Sequence, residues 1–168
     1  GIKRRLEKRG TVNGADIFDD IAHSPIKAKN TLETLHKLYC HSEQSEESLS
    51  QTPTDRDSSV TTLTRDDKRN DKSKIYAIFE PNTGNRQPAS FPQYDHAFDI
   101  ADTVIIPRLT KLKIKPGEKI IEGQELAKII SRTHKNVKYF EDDEELIKFI
   151  KEETQANDAV VFLGSHSF

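Results

Sequence analysis

Apolar residues in this chain fall into short runs separated by polar stretches, and each run has its own period. Residues Arg5 to Val12 and Ala15 to Asp19 flank Asn13-Gly14. That dipeptide tolerates the positive φ of a type I′ turn, so the chain is predicted to open with a β-hairpin. From His23 the period changes: Pro25 suits a first helical turn, and Ile26, Leu32, Leu35 and Leu38 recur at near-helical spacing up to Tyr39. A helix is expected directly after the hairpin. Lys74 to Glu80 is a near-continuous apolar run ended by Pro81 and Gly84, the pattern of a buried parallel strand. There follow a polar loop, a short helix around Tyr94 to Ile100, a strand from Thr103 to Pro107, and a loop from Lys111 to Glu122. A helix through Leu126, Ile129 and Ile130 then leads to a strand at Val137 to Phe140. Glu141 to Glu153 is amphipathic, with Leu146, Ile147 and Ile150 on one face, and Ala159 to Leu163 forms a last strand closed by Gly164. Strands alternating with helices predict right-handed βαβ crossovers and an α/β class: a Rossmann-like, doubly wound, mostly parallel sheet with an N-terminal β-hairpin.

Residues 41–73 break the pattern. They hold only Leu49, Val60 and Leu63 as large apolar side chains among Ser, Thr, Asp, Glu, Arg and Lys. Such a stretch cannot bury enough surface to offset its ordering entropy and is expected to be a disordered polar insert. Stretching a loop from ~4 to ~34 residues costs only about 2 kcal/mol, so the fold tolerates it. The insert also accounts for a polar composition, 33% hydrophobic and 32% charged with a mean hydropathy of -0.75. At 168 residues the chain is sized for one domain, 1–168. Lys+Arg at 26 against Asp+Glu at 28 excludes the broad basic field of a nucleic-acid binder. No apolar run approaches the ~20 residues that span a bilayer, and residues 1–7 do not form a signal peptide, so the expected compartment is the cytoplasm, with no membrane partner. The lone cysteine, Cys40, has no partner for a disulfide or a zinc site. There is no Met, which points to a piece of a longer protein.

Ligands of doubly wound sheets sit beyond the carboxyl ends of the strands, which confines the search to a few segments. No Gly-x-Gly-x-x-Gly fingerprint and no Gly-x-x-x-x-Gly-Lys-Ser/Thr phosphate loop occurs. The piece cannot hold a nucleoside triphosphate by itself in either usual way. Asp19, Asp20 and His23 sit at a strand-to-helix junction, where the acids serve as helix caps, as a polar ligand site or, least favoured, as a metal site. Arg86 lies in a Gly/Asn-rich loop, either as a bidentate carboxylate clamp or as a solvated side chain. His166 reads as a surface residue and Cys40 as a small, partly buried one. A receiver-like phosphoacceptor would want a Lys after a late strand, and Gly164-Ser165-His166 does not supply it.

In order along the chain, Gly-Ile-Lys-Arg-Arg-Leu-Glu at 1–7, Asn-Gly at 13–14, Asp-Asp-Ile-Ala-His-Ser-Pro at 19–25, Phe-Glu-Pro-Asn-Thr at 79–83 and Phe-Leu-Gly-Ser at 162–165 resemble the C-terminal domain of the Mur ligases. These are the ATP-dependent amide-forming enzymes of peptidoglycan precursor synthesis. The resemblance covers nearly the whole chain outside 41–73 and implies that a UDP-sugar-binding N-terminal domain and a central ATPase domain holding Mg²⁺ are missing partners of the same chain. Within the family the motifs lean toward the members that join L-alanine to UDP-N-acetylmuramate, with those that attach a recycled tripeptide as the alternative. A non-catalytic binding fragment also stays open.

The resemblance further implies roles for particular residues. Arg5 reaches the ATP phosphates, Asp20 contacts the nucleotide, and His23 stands near the incoming amino acid. Asn82 takes the position of a family histidine, and Arg86 matches an arginine that holds the amino-acid carboxylate. Glu80 replaces a family glutamine and Asn82-Thr83 replace His-Arg, so one carboxylate clamp is missing. Arg108, Lys111 and Lys113 form a basic cluster suited to the outer carboxylates of a tripeptide, or a solvated loop.

Overall fold

The structure, a computed structural model, describes residues 5–42, 73–111, 117 and 119–165. The predicted hairpin is formed by β1 (Glu7–Val12) and β2 (Ala15–Asp20), paired antiparallel, with Asn13 at φ 51° and Gly14 at φ 82° in the turn. α1 (Pro25–Ser42) follows, then β3 (Ile75–Glu80), two 3-10 segments (Thr83–Arg86 and Pro88–Tyr94) and β4 (Thr103–Ile106). α2 (Gly123–Ile130), β5 (Val137–Tyr139), α3 (Asp143–Glu153) and β6 (Ala159–Gly164) are the remaining elements among the described residues. The six strands form one sheet in the order β1-β2-β6-β3-β4-β5, parallel except for β1. The α/β, mostly parallel architecture expected from the alternating pattern is the one observed.

Side chains of a strand alternate between the faces of the sheet, and that alternation divides the core in two. Ile75, Ala77 and Phe79 of β3, with Val161 and Leu163 of β6, pack against α1, α2 and the second 3-10 segment. Tyr76, Ile78, Ile105 and Val160 face the other way and are covered by Leu146 and Ile150 of α3. Strands buried on both faces need no polar alternation, which is why β3 and β6 read as continuous apolar runs.

Several expectations are corrected by this packing. α1 buries Ala28, Leu32 and Leu35, while Ile26 and Leu38 are 60% and 58% exposed. At about 100° per residue, Leu32 and Leu35 lie within ~40° of Ala28, whereas Ile26 lies ~160° away on the opposite side. Ile147 is half exposed for the same reason, one step around α3 from Leu146. No helix spans Tyr94 to Ile100; the helical residues are the preceding 3-10 segment, where Pro92 lacks the N–H that an α-ladder needs. α1 continues through Ser42, so the first two residues of the predicted insert are helical, and residues 43–72 lie outside the described part.

Two carboxylates, the exposed Asp102 and the buried Asp158, tie down the strand starts. Asp102 accepts from the Ile75 amide at 2.8 Å, and Asp158 accepts from the amides of Lys74 and Gln155 at 2.8 and 2.9 Å. The Tyr76 hydroxyl donates to the Glu153 carbonyl at 3.0 Å.

Two outcomes are expected. A Cβ on Gly14 would meet the Cα of Ala156 at 3.0 Å in a backbone of positive φ, so Gly14→Ala should lower unfolding free energy by more than ~1 kcal/mol in urea titrations. Burial, with the charges of Asp158, Glu153 and Asp102, pushes the Tyr76 phenol up to about 12. The neutral phenol is favoured in the folded state, so its contribution is whole below the ordinary value of ~10 and is lost as pH climbs through the folded one. The thermal midpoint should fall between pH ~10 and ~12, and fall less steeply in Tyr76→Phe.

Candidate functional site

A cleft of about 490 Å³ opens at the carboxyl end of β2. One wall is Arg5, Leu6, Asp20, Ile21 and Ala22; the other is the face of α1 carrying Lys27, Asn30, Thr31 and Thr34. Asp20 organises the first wall: its Oδ2 accepts from the Leu6 amide at 2.7 Å and its Oδ1 from the Ala22 amide at 2.9 Å. Leu6 is held at φ 44°, a left-handed conformation that costs a leucine about 1–2 kcal/mol. The Asp20 bond to its amide offsets that strain and fixes the bend from which Arg5 leaves the hairpin. α1 begins with Pro25 in the first turn and Ser24 as its cap, the Ser24 carbonyl accepting from Ala28 at 2.9 Å and the hydroxyl from the Lys27 amide at 3.4 Å.

Asp19 does not share this cleft. Adjacent strand residues point to opposite faces, and Asp19 accepts from Arg9 Nη2 at 3.0 Å. The Asp19-Asp20 pair is therefore two separate carboxylates. Among the described residues no group of three His, Cys, Asp or Glu side chains converges as a metal would need.

His23 and Asn82, far apart in sequence, are brought together. The Asn82 amide donates to the His23 carbonyl at 3.2 Å, and Asn85 Nδ2 donates to the same carbonyl at 3.3 Å. His23 Nδ1 lies 2.9 Å from the Ile21 carbonyl, which can only accept, so Nδ1 is the donor and Nε2 is left for a ligand. Asn82 caps the first 3-10 segment, its Oδ1 accepting from the Asn85 amide at 3.2 Å and Nδ2 at 2.6 Å.

Arg86 overturns the solvated reading of that loop. It is 3% exposed, with Nε donating to the Ile121 carbonyl at 3.0 Å and Nη1 to the Thr110 carbonyl at 2.8 Å. The guanidinium braces the loop between β4 and α2 and is neither solvated nor free on these two nitrogens to clamp a carboxylate. Glu80 is buried beside it and accepts from the Thr110 amide at 3.1 Å and hydroxyl at 2.7 Å. Tyr94 donates to the Asn85 carbonyl at 2.5 Å, and burial raises its phenol against the opposing pull of Arg86. Of the expected basic cluster, Arg108 pairs with Asp143 at 2.6 Å, Lys111 is exposed, and Lys113 lies outside the described residues, as do His166 and the side chain of Cys40.

Sequence reasoning missed the helix wall. Lys27, Asn30, Thr31 and Thr34 follow the i, i+3, i+4, i+7 spacing of one helix face, and the signal was present in the polar positions between the leucines. Asp20→Ala should cost about 1–3 kcal/mol, because the Leu6 and Ala22 amides lose their acceptor, and Arg86→Ala should cost at least as much. Lys27→Ala should stay within about 0.5 kcal/mol. Urea denaturation of the three variants checks the contrast.

No protein-family model matches the chain. It is 28% identical over 165 residues to the UDP-N-acetylmuramate-L-alanine ligase of Caldanaerobacter subterraneus, covering 98% of this chain and 29% of that protein. The same ligase of Alkaliphilus metalliredigens is also 28% identical over 165 residues, covering 98% of this chain and 28% of that protein. The fold resembles a murein peptide ligase from Psychrobacter arcticus with a TM-score of 0.64 at 21% identity, over 98% of this chain and 27% of that one. It also resembles a UDP-N-acetylmuramate-alanine ligase from Thermotoga maritima with a TM-score of 0.60 at 19% identity, over 99% of this chain and 27% of that one. The family resemblance read from the motifs is borne out, and the chain spans less than a third of the length of these curated relatives.

Proposed function

We propose that the chain is the C-terminal domain of a Mur ligase that uses ATP to join L-alanine to UDP-N-acetylmuramate. The observation that carries this reading is the meeting of Arg5 and Asp20 in one cleft at a strand end. In the reaction, the muramyl carboxylate attacks the γ-phosphorus of ATP, releasing ADP and leaving an acyl phosphate. The amine of alanine then attacks the acyl carbon, forming the amide and expelling inorganic phosphate. Arg5 supplies a permanent positive charge where negative charge builds on the transferring phosphoryl group. A carboxylate has about four acceptor positions, and the two backbone bonds of Asp20 leave room for ribose hydroxyls. His23, through Nε2, and Asn82 face the incoming amino acid from the ends of β2 and β3. Mg²⁺ and the phosphate loop belong, on this reading, to a central domain of the longer, cytoplasmic enzyme, and the UDP-sugar to its N-terminal domain. Domain closure brings the two halves of the nucleotide site together, and residues 1–168 act as one unit.

The engagement of Arg86 with two carbonyls favours a second reading, in which the acceptor is the recycled tripeptide. A free amino acid needs a cation within a few bonds of its amine, and Arg86 spends two donors elsewhere.

In the longer enzyme, Arg5→Ala should lower kcat by roughly 10²- to 10³-fold at an unchanged melting temperature, read by phosphate release. The 168-residue chain alone should turn over no ATP. Unchanged turnover in Arg5→Ala returns Arg5 to an ordinary surface residue, and an inactive longer enzyme supports the non-catalytic binding fragment. The ratio of kcat/KM for L-alanine to that for the tripeptide decides between the acceptors.

A further inference from the structure

We infer that Lys27 is a second cation for the phosphates of the nucleotide, acting across the cleft from Arg5. The inference deepens the reading above and rests on it for the identity of the ligand. Arg5 and Lys27 line the same 490 Å³ cleft from opposite walls, one just before β1 and the other in the first turn of α1. Neither is ion-paired with a carboxylate among the described residues, whereas Lys8, Arg9 and Arg108 pair with Asp16, Asp19 and Asp143. The carboxylate in the lining, Asp20, is turned to the amides of Leu6 and Ala22 and neutralises neither cation.

Charge and neutral polarity are also segregated along the helix wall. Lys27 stands at the positive end of the α1 dipole, where an anion is favoured. Asn30 and Thr31 follow one turn on, and Thr34 about 10 Å from Lys27 along the axis. The Thr34 hydroxyl donates to the Asn30 carbonyl at 2.9 Å, so the neutral hydrogen-bonding side chains facing the cleft are Asn30 and Thr31. A small carboxylate ligand is served by one cation. Two cations on opposite walls, with neutral donors beyond them, suit an extended polyphosphate whose sugar continues along the helix.

The test is titration of ATP and, separately, of inorganic tripolyphosphate into the chain, followed by NMR at the amides of Leu6, Ala22 and Thr31. Both ligands should give saturable shifts, ATP at the lower concentration. Lys27→Gln should raise Kd for both by about fivefold, the worth of one exposed charge at contact distance. Lys27→Arg should restore it, and Lys29→Gln, an exposed cation on the same helix outside the cleft lining, should leave it unchanged. Equal losses in Lys27→Gln and Lys29→Gln would assign the effect to a general field and overturn the inference, as would the absence of saturable shifts or a response to ATP alone. If Arg5→Ala weakens ATP binding and Lys27→Gln does not, the inference fails while the nucleotide-binding reading stands. If neither variant changes binding, both fail.

Discussion

The arrangement depends on one strand being in place: β6, inserted between β2 and β3. Its parallel ladders put Asp20 opposite Leu163 on one side and Phe79 opposite the same residue on the other. The carboxyl ends of β2 and β3 are thereby brought level. That register explains how His23 and Asn82 come within hydrogen-bonding distance although an insert separates them in sequence. It also joins the N-terminal hairpin to the rest of the sheet, since among the described residues β2 pairs only with β1 and β6. Contacts of this kind close very long loops before they stabilise anything, which makes the topology slow to form and cooperative once formed.

The polar groups at the strand ends show how a mostly apolar sheet holds a polar rim. The buried Asp20, Glu80, Arg86 and Asp158 direct their bonds to backbone groups that the sheet leaves unpaired. Among the described residues no buried side-chain nitrogen or oxygen lacks a partner. An unpaired buried group costs about 1–3 kcal/mol, so each of these bonds holds its loop in one conformation. The rim is rigid where the polar residues are buried, and its free charges, Arg5 and Lys27, stand outside that network on the exposed walls of the cleft. A group that must meet a ligand keeps its donors unspent; a group that shapes the site spends them on the backbone. Asp20 belongs to both sets, which is why it sits at the centre of the proposed chemistry and of the local fold.

Much of the fold was legible in the residues. The Asn13-Gly14 turn, the continuous apolar runs of β3 and β6 and the amphipathic α3 each follow from short-range rules, because positive φ, two-faced burial and helical periodicity act within a few residues. What the helices bury was less legible. Ile26, Leu38 and Ile147 are apolar and near the right spacing, and only the angle at which each helix lies on the sheet put them in solvent. The motif at 19–25 pointed to the end of β2 and to Asp20. Arg86 could not be resolved in this way, since whether a loop arginine clamps a ligand or a backbone depends on carbonyls at Thr110 and Ile121 that come from a different part of the chain. The sequence by itself therefore determined the elements, their order and the strand ends that carry the polar residues. The tertiary structure alone decided which of those residues keep their charge free, because burial and hydrogen-bond partners across distant segments exist only once β6 has closed the sheet.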